Sequence, residues 1–241
     1  MRAVMTKKPA ATAFPIGKQA ELSGDCFSAL LRGVGPIGIL AMLVILAGNL
    51  IIAPLGAGLV LLWARLSGTP WRDLGFVQPK SWIRILFVGS LFGIALKVLM
   101  KAVVMPLLGA PAINQAYHYL AGNTAALPGT IITMIIVAGF GEETVFGGYL
   151  FERFGKVFGT GIGARFITVL LTSAWFAIMH YHEQGVPGVE QAAITGLVFA
   201  TMFALTHRLW MPIVAHAAFD LTAVAMIYWD IESKVAHLLF K

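Results

Sequence analysis

Two adjacent glutamates within a long apolar segment constrain this chain more than any other feature. Residues 128–151 read PGTIITMIIVAGFGEETVFGGYLF, a segment long and apolar enough to cross a bilayer, and Glu142 and Glu143 lie well inside it. An ionised carboxylate at bilayer depth is costly unless it has a partner, a proton or a function. The two glutamates therefore indicate a functional site within the membrane.

Composition places the chain among membrane proteins. Hydrophobic residues make up 59% of the sequence and charged residues 12%, against about 45–50% and about 25% in soluble domains. Apolar runs long enough to span a bilayer recur along most of the chain. We expect an all-α, polytopic transmembrane bundle of about six to eight helices at 36–241, preceded by a flexible N-terminal tail at 1–35. The expected location is a bacterial or archaeal cell membrane, as an integral multi-pass protein.

The individual spans follow from the apolar runs and their interruptions. Residues 36–63 are too long for one untilted span and too short for two, and Asn49 and Pro54 interrupt them. This run predicts one kinked helix, with a tight two-pass hairpin as the alternative. Further spans are predicted at about 82–108, 128–151, 166–181, 191–206 and 210–229.

Two lysines occupy the second predicted span. Lys97 and Lys101 lie one helical turn apart near its end. Snorkelling of both amines to the interface is the favoured interpretation, and the other is a counter-charge for Glu143.

The charges also predict an orientation in the membrane. Lysines and arginines concentrate in the 64–84 connector, the 152–165 loop and the 207–208 turn, which we assign to the cytoplasmic face. The 109–127 connector carries no Lys, Arg, Asp or Glu and is assigned to the opposite face. A single crossing by 36–63 would then place the basic N-terminal segment outside, which conflicts with the same rule. The net charge of +6 comes without a basic run, so the lipid bilayer and not nucleic acid is the expected partner.

Other ionisable residues in apolar segments could join the glutamates. His180 follows Phe176 by four residues, and Asp220 follows His216 by four, so each pair shares a helical face. Asp220 is placed to accept a proton from one nitrogen of His216 and fix its tautomer, or both residues could bind a metal ion. Adjacent glutamates lie about 100° apart on a helix and so have separate roles. Carboxylates and histidines together form a plausible hydrolytic set.

Three motifs in this order resemble a known family. GEETVFGGYLFERF, WFAIMH and PIVAHAAFD resemble the EExxxR, FxxxH and HxxxN/D motifs of the CAAX protease and bacteriocin-processing family (CPBP, also called Abi), which includes the type II CAAX prenyl endopeptidases. The resemblance covers a core at about 128–228. It implies a helical-bundle intramembrane protease that cuts peptide bonds of membrane-associated peptides or proteins near a membrane face.

The resemblance also implies roles for the candidate residues. Glu142 and His180 would activate water, and His216 and Asp220 would assist at the oxyanion or at a metal, with Glu143 and Phe176 in support. A divalent ion such as Zn²⁺, held by Glu142, His180, His216 and Asp220, is the cofactor that a metalloprotease would need. A metal-free, glutamate-dependent mechanism has also been proposed for the family.

Two positions depart from the family motifs. Gly147 stands where the arginine is expected, so Arg153 or a lysine replaces it, Glu143 is protonated, or the chain is catalytically weak. Asp220 stands where asparagine is common, and an ionised aspartate cannot donate to an oxyanion, which favours a metal-ligand or histidine-orienting role. The competing functions are a non-catalytic immunity or scaffold protein of the same family and a proton-coupled transporter.

Overall fold

The fold of the described residues is entirely helical. A computed structural model describes residues 16–240. The helices are α1 (Ile16–Arg32), α2 (Pro36–Ile51), α3 (Ala53–Leu66), α4 (Trp82–Leu107), α5 (Leu127–Phe158), α6 (Ile162–Met179), α7 (Tyr181–Thr206), α8 (Trp210–Tyr228) and α9 (Glu232–Ala236), with 3₁₀ turns at Trp71–Leu74 and His118–Leu120.

Helices α4 to α8 are each long and apolar enough to cross a membrane. A sixth span is added if α1 and α2, which meet at a 64° bend, are counted together. The predicted all-α, polytopic membrane bundle is confirmed, with five or six candidate spans.

The first apolar run forms a helical hairpin. Ile52 has extended backbone angles (φ −148°, ψ 111°) and separates α2 from α3, and Pro54 lies in the first turn of α3, where its missing N–H leaves no bond unmade. The Trp63 indole donates to the Leu31 carbonyl at 3.1 Å, so the end of α3 lies beside the start of α2. The structure therefore has the hairpin and not the kinked helix. Both ends of the hairpin therefore lie at the same end of the bundle.

Part of the predicted N-terminal tail is a helix. Residues 16–32 form α1, and the remainder of that tail, residues 1–15, lies outside the described residues. The last carbonyl groups of a helix have no partner within the helix. At the end of α1, the Arg153 guanidinium donates to the Arg32 carbonyl at 2.8 Å and also to the Gly33 carbonyl. Ser28 also donates to the Leu66 carbonyl at 2.8 Å. These contacts hold the end of α1 against α3 and α5.

Small residues allow the helices around the glutamates to approach closely. Gly89 and Gly93 of α4 face Val214 and Ala215 of α8, and a Cβ at Gly139 of α5 would lie 2.8 Å from the Ala217 Cβ of α8. Such contacts are typical of membrane helices, where glycine and alanine let backbones meet. They place the glutamate helix α5 and the histidine helix α8 side by side.

Helix α5 is wider than an ordinary α-helix around the two glutamates. Residues Thr133–Tyr149 have π-helical backbone bonds, and the Leu150 amide donates to the Val145 carbonyl five residues earlier. Single π turns occur often at functional sites, and this stretch extends over several turns. The widening changes which side chains share a face, so the i, i+4 spacing of an α-helix does not apply here.

The two lysines of α4 do not snorkel to the interface. Lys97 and Lys101 are only 6% and 8% exposed. The Lys97 amine donates to Gln191 at 2.8 Å, and Lys101 forms an ion pair with Glu232 of α9 at 2.9 Å. Neither is the counter-charge of Glu143. The predicted snorkelling is wrong because both amines have polar partners inside the bundle.

We expect Gly93→Ala to destabilise the bundle. The added Cβ would overlap the Ala215 carbonyl, and overpacking of this kind typically costs about 1–3 kcal/mol. Gly58→Ala on α3 is the matched control, because a Cβ there has no atom within 4 Å. Thermal unfolding of the detergent-purified variants measures the difference. Equal melting temperatures for the two variants would show that the α4–α8 contact is not tight.

Candidate active site

His216 is the centre of the candidate site. Its ring is buried on α8, and its Nδ1 hydrogen-bonds to Glu143 Oε1 at 2.9 Å. Its Nε2 lies 3.7 Å from Glu142 Oε2 and 3.5 Å from Asp220 Oδ2. Glu143 thus bonds to Nδ1 of this imidazole, and Glu142 approaches Nε2.

Glu143, and not Asp220, makes the hydrogen bond to His216. The sequence spacing had predicted Asp220 as the residue that orients this histidine. Asp220 shares a helical face with His216, as the spacing predicted, but its closest ring contact is the 3.5 Å approach to Nε2. Glu143 reaches Nδ1 from the neighbouring helix with a shorter and better-directed bond. A carboxylate can only accept, so with an ionised Glu143 the bond requires the proton on Nδ1 and leaves Nε2 to face the other acids.

Two phenylalanines fix the plane of the His216 ring. Phe199 stacks on it with ring centroids 4.9 Å apart, and Phe176 meets it edge-on at 5.8 Å. Phe176 is the first residue of the FxxxH motif, and the structure places it between the two motif histidines. Its ring also lies 4.6 Å from that of His180.

His180 has one ring nitrogen engaged by the backbone. Its Nδ1 lies 2.8 Å from the Phe176 carbonyl oxygen, and because a carbonyl can only accept, Nδ1 carries the proton. In the neutral ring, Nε2 then has a free lone pair, which suits it to accept a proton or a hydrogen bond. His180 ends α6 and is followed directly by α7, which bends at Gly185, where φ is +61°.

A cavity of about 740 Å³ brings the predicted catalytic residues together. Glu142, His180, His216 and Asp220 all line it. Its size is within the range of ligand-binding pockets, and it combines apolar walls with a few convergent polar groups. The structure thus brings together four residues that the sequence places on three helices.

Sequence reasoning did not assign Lys97 and Gln191 to this cavity, although both line it. The Lys97 amine also stands 4.7 Å from the centre of the Phe219 ring, a cation–π distance. The sequence feature that could have indicated a place for Lys97 in the cavity was the occurrence of a lysine inside an apolar span. The predicted partner of Lys97 was wrong because Gln191 lies on α7, far along the chain, and no local pattern shows which side chains of α4 and α7 meet.

Tyr117 and Glu183 lie at the rim of the same cavity. The Tyr117 hydroxyl donates to Glu183 Oε2 at 3.5 Å. Burial and the neighbouring carboxylate raise the pKa of Tyr117 above its usual range, so its hydroxyl stays neutral and able to donate.

The position of the missing family arginine lies against Glu143. A Cβ on Gly147 would be 3.3 Å from Glu143 Oε2 and 3.1 Å from Leu209 Cδ2. Arg153 does not substitute for that arginine, because its guanidinium binds the carbonyls of Arg32 and Gly33. Glu143 is bonded to His216 instead, and beside it is a cavity of only about 20 Å³.

The metal-binding interpretation finds no matching geometry. Within residues 16–240, no group of three or more His, Cys, Asp or Glu side chains is arranged to hold a metal ion. Around His216, Glu142 Oε2 and Asp220 Oδ2 approach the Nε2 atom itself, at 3.7 and 3.5 Å.

The motif-bearing segment matches a protein-family model. Residues 124–222 match the model described as "Type II CAAX prenyl endopeptidase Rce1-like". The predicted resemblance to the type II CAAX prenyl endopeptidases is thus confirmed for this segment of the chain. This segment contains every predicted site residue, and the match supports a CAAX-type intramembrane protease at the level of the family. No curated protein and no solved structure matches the chain significantly.

We expect Gly147→Arg, which restores the family residue, to destabilise this protein. The cavity beside Glu143 has room for about one water molecule, so a guanidinium would displace Leu209 or break the Glu143–His216 bond. Gly155→Arg on the same helix is the control, because a Cβ there meets nothing within 4 Å. Melting temperature and peptidase rate of both variants test this. An unchanged melting temperature for Gly147→Arg would mean that the site adapts to the arginine.

Proposed function

We propose that this protein is an endopeptidase that hydrolyses peptide bonds of membrane-associated peptides or proteins with water activated by Glu142 and His180. The observation that carries the proposal is that Glu142, His180, His216 and Asp220 line one cavity, while Glu143 holds His216 from outside it. The Rce1-like match supports a protease, and these contacts suggest how its residues divide the work.

The proposed reaction begins with water bound between Glu142 and His180. Glu142 accepts a proton as the water oxygen attacks the peptide carbonyl carbon, and His180 Nε2 accepts the second hydrogen bond from that water. The carbon–nitrogen bond of the tetrahedral intermediate then breaks. Glu142 returns its proton to the leaving amine, so the products are a carboxylic acid and an amine, and Glu142 is regenerated.

His216 is the proposed partner of the developing oxyanion. Its ring is held by Glu143 at Nδ1 and by Phe199 and Phe176 at its faces, so Nε2 has one direction in the cavity. A protonated Nε2 in a site that excludes bulk water stabilises negative charge on the carbonyl oxygen without rearrangement. Asp220 lies next to the same nitrogen and balances the positive charge of the protonated ring when no oxyanion is present.

Glu142→Gln and His180→Ala should each abolish hydrolysis while the protein remains folded. Loss of a general base typically lowers the rate by about 10²–10⁴-fold. Because the two residues act on one water, the double variant should be scarcely slower than either single variant. The assay is cleavage of a peptide panel in detergent, with His118→Ala, in an exposed turn, as the active control. Multiplicative losses would show that the two residues do not serve one reacting centre.

Glu143→Gln and Asp220→Asn separate the two carboxylates that face His216. Glu143→Gln should lower kcat, by up to about 10⁴-fold, because the orienting charge at Nδ1 is lost. Asp220→Asn should be tolerated, because Asp220 does not make the orienting hydrogen bond. The test is to measure the peptidase rate and the metal content of each purified variant. Joint loss of a bound metal and of activity in Asp220→Asn would favour a metal-dependent site instead.

A further inference from the structure

One end of the bundle carries most of the basic residues. The connector after α3 meets the turn before α8 there, because the Leu209 amide donates to the Gly75 carbonyl at 2.9 Å. Lys156 donates to the Arg32 carbonyl at 2.9 Å, which adds the ends of α1 and α5 to the same end. The basic residues of these segments are Arg32, Arg65, Arg72, Lys80, Arg84, Arg153, Lys156, Arg165 and Arg208.

The opposite end is nearly free of exposed basic residues. The Gly122 amide donates to the Tyr228 carbonyl at 3.0 Å, and Asn114 bonds to Glu232, so the 108–126 loop covers the ends of α8 and α9. Among the side chains that the structure describes, Lys234 is the exposed basic residue here, whereas Lys97 and Lys101 are buried. By the positive-inside rule this end is extracytoplasmic.

The catalytic cavity is exposed at that second end. Its walls there are the α2–α3 hairpin tip at 50–52, the 108–126 loop and the start of α7, where Ile51, His182 and Glu183 are exposed. Its other walls include Phe176, His216 and Phe219, which are 5%, 5% and 2% exposed. The cavity is therefore closed toward the basic end and open toward the end that lacks exposed basic residues.

We propose that the site opens on the extracytoplasmic side of the membrane and takes peptide segments that lie there beside the bilayer. This inference rests on the proposed peptidase function. The rim supports such a substrate, because exposed apolar residues at 50–52 and Ile178 border it next to the carboxylate of Glu183. An apolar peptide segment that emerges from the lipid can contact the exposed apolar residues of the rim while its polar backbone enters the cavity. A protein terminus confined to the cytoplasm cannot reach this opening.

Cysteine labelling tests the orientation. In a Cys26→Ser background, Thr160→Cys marks the basic end, Gln115→Cys the opposite end, and His182→Cys the cavity rim; all three positions are exposed. In spheroplasts of a bacterial host, a membrane-impermeant maleimide should label positions 115 and 182 and leave 160 unlabelled. Inside-out vesicles should give the reverse. Labelling of position 182 only in inside-out vesicles would overturn the proposal.

Sided activity is the second arm of the test. Short quenched fluorescent peptides with charged ends, which do not cross the bilayer, are added to spheroplasts and to inside-out vesicles containing the full-length protein or its Glu142→Gln variant. Glu142-dependent cleavage should occur in spheroplasts, and in inside-out vesicles only after detergent. Cleavage by intact inside-out vesicles alone would overturn the sidedness but leave the peptidase function standing. If no peptide is cleaved even in detergent, the peptidase function fails, and labelling at position 182 alone decides which way the cavity opens.

Discussion

The hydrogen bond between Glu143 and His216 is the interaction on which this arrangement depends. It joins α5 to α8 inside the bundle, where a carboxylate without a partner would be strongly unfavourable. The same bond fixes the histidine ring and directs its other nitrogen toward Glu142 and Asp220. Gly147 stands where the resemblance implies an arginine; Glu143 has this histidine as its partner, and Leu209 and Glu143 itself lie close to the glycine.

That bond requires two helix backbones to come unusually close. Gly139 against Ala217, and Gly93 against Ala215, remove the side chains that would otherwise keep α5 and α4 away from α8. The widened turns of α5 then turn Glu142 toward the cavity and Glu143 toward His216. Close packing and a local change of helix geometry are thus both needed to place two adjacent carboxylates against one ring.

Hydropathy and motif order predicted the helical class, most of the spans and four of the residues that line the cavity. Those features depend on local composition and on side-chain chemistry, which a single sequence displays. The partner of Glu143 could not be predicted in the same way, because helical spacing linked His216 to Asp220 and gave no information about contacts between α5 and α8. The burial of Lys97 and Lys101 was missed for a related reason: their partners, Gln191 and Glu232, lie far along the chain.

The different depths of the motif residues follow from the shape of the cavity. His180 ends α6, a full span from the basic loop, whereas His216 lies only two turns into α8 and Glu142 lies midway along α5. If the helices were straight and the site lay at a single depth in the membrane, these three residues could not meet. A cavity of about 740 Å³ that runs from the bundle interior to one end accommodates them, with His180 nearer the rim and His216 at the buried wall. A peptide that enters from the rim would therefore meet His180 first, and the bond presented to Glu142 and His216 would lie below the membrane surface.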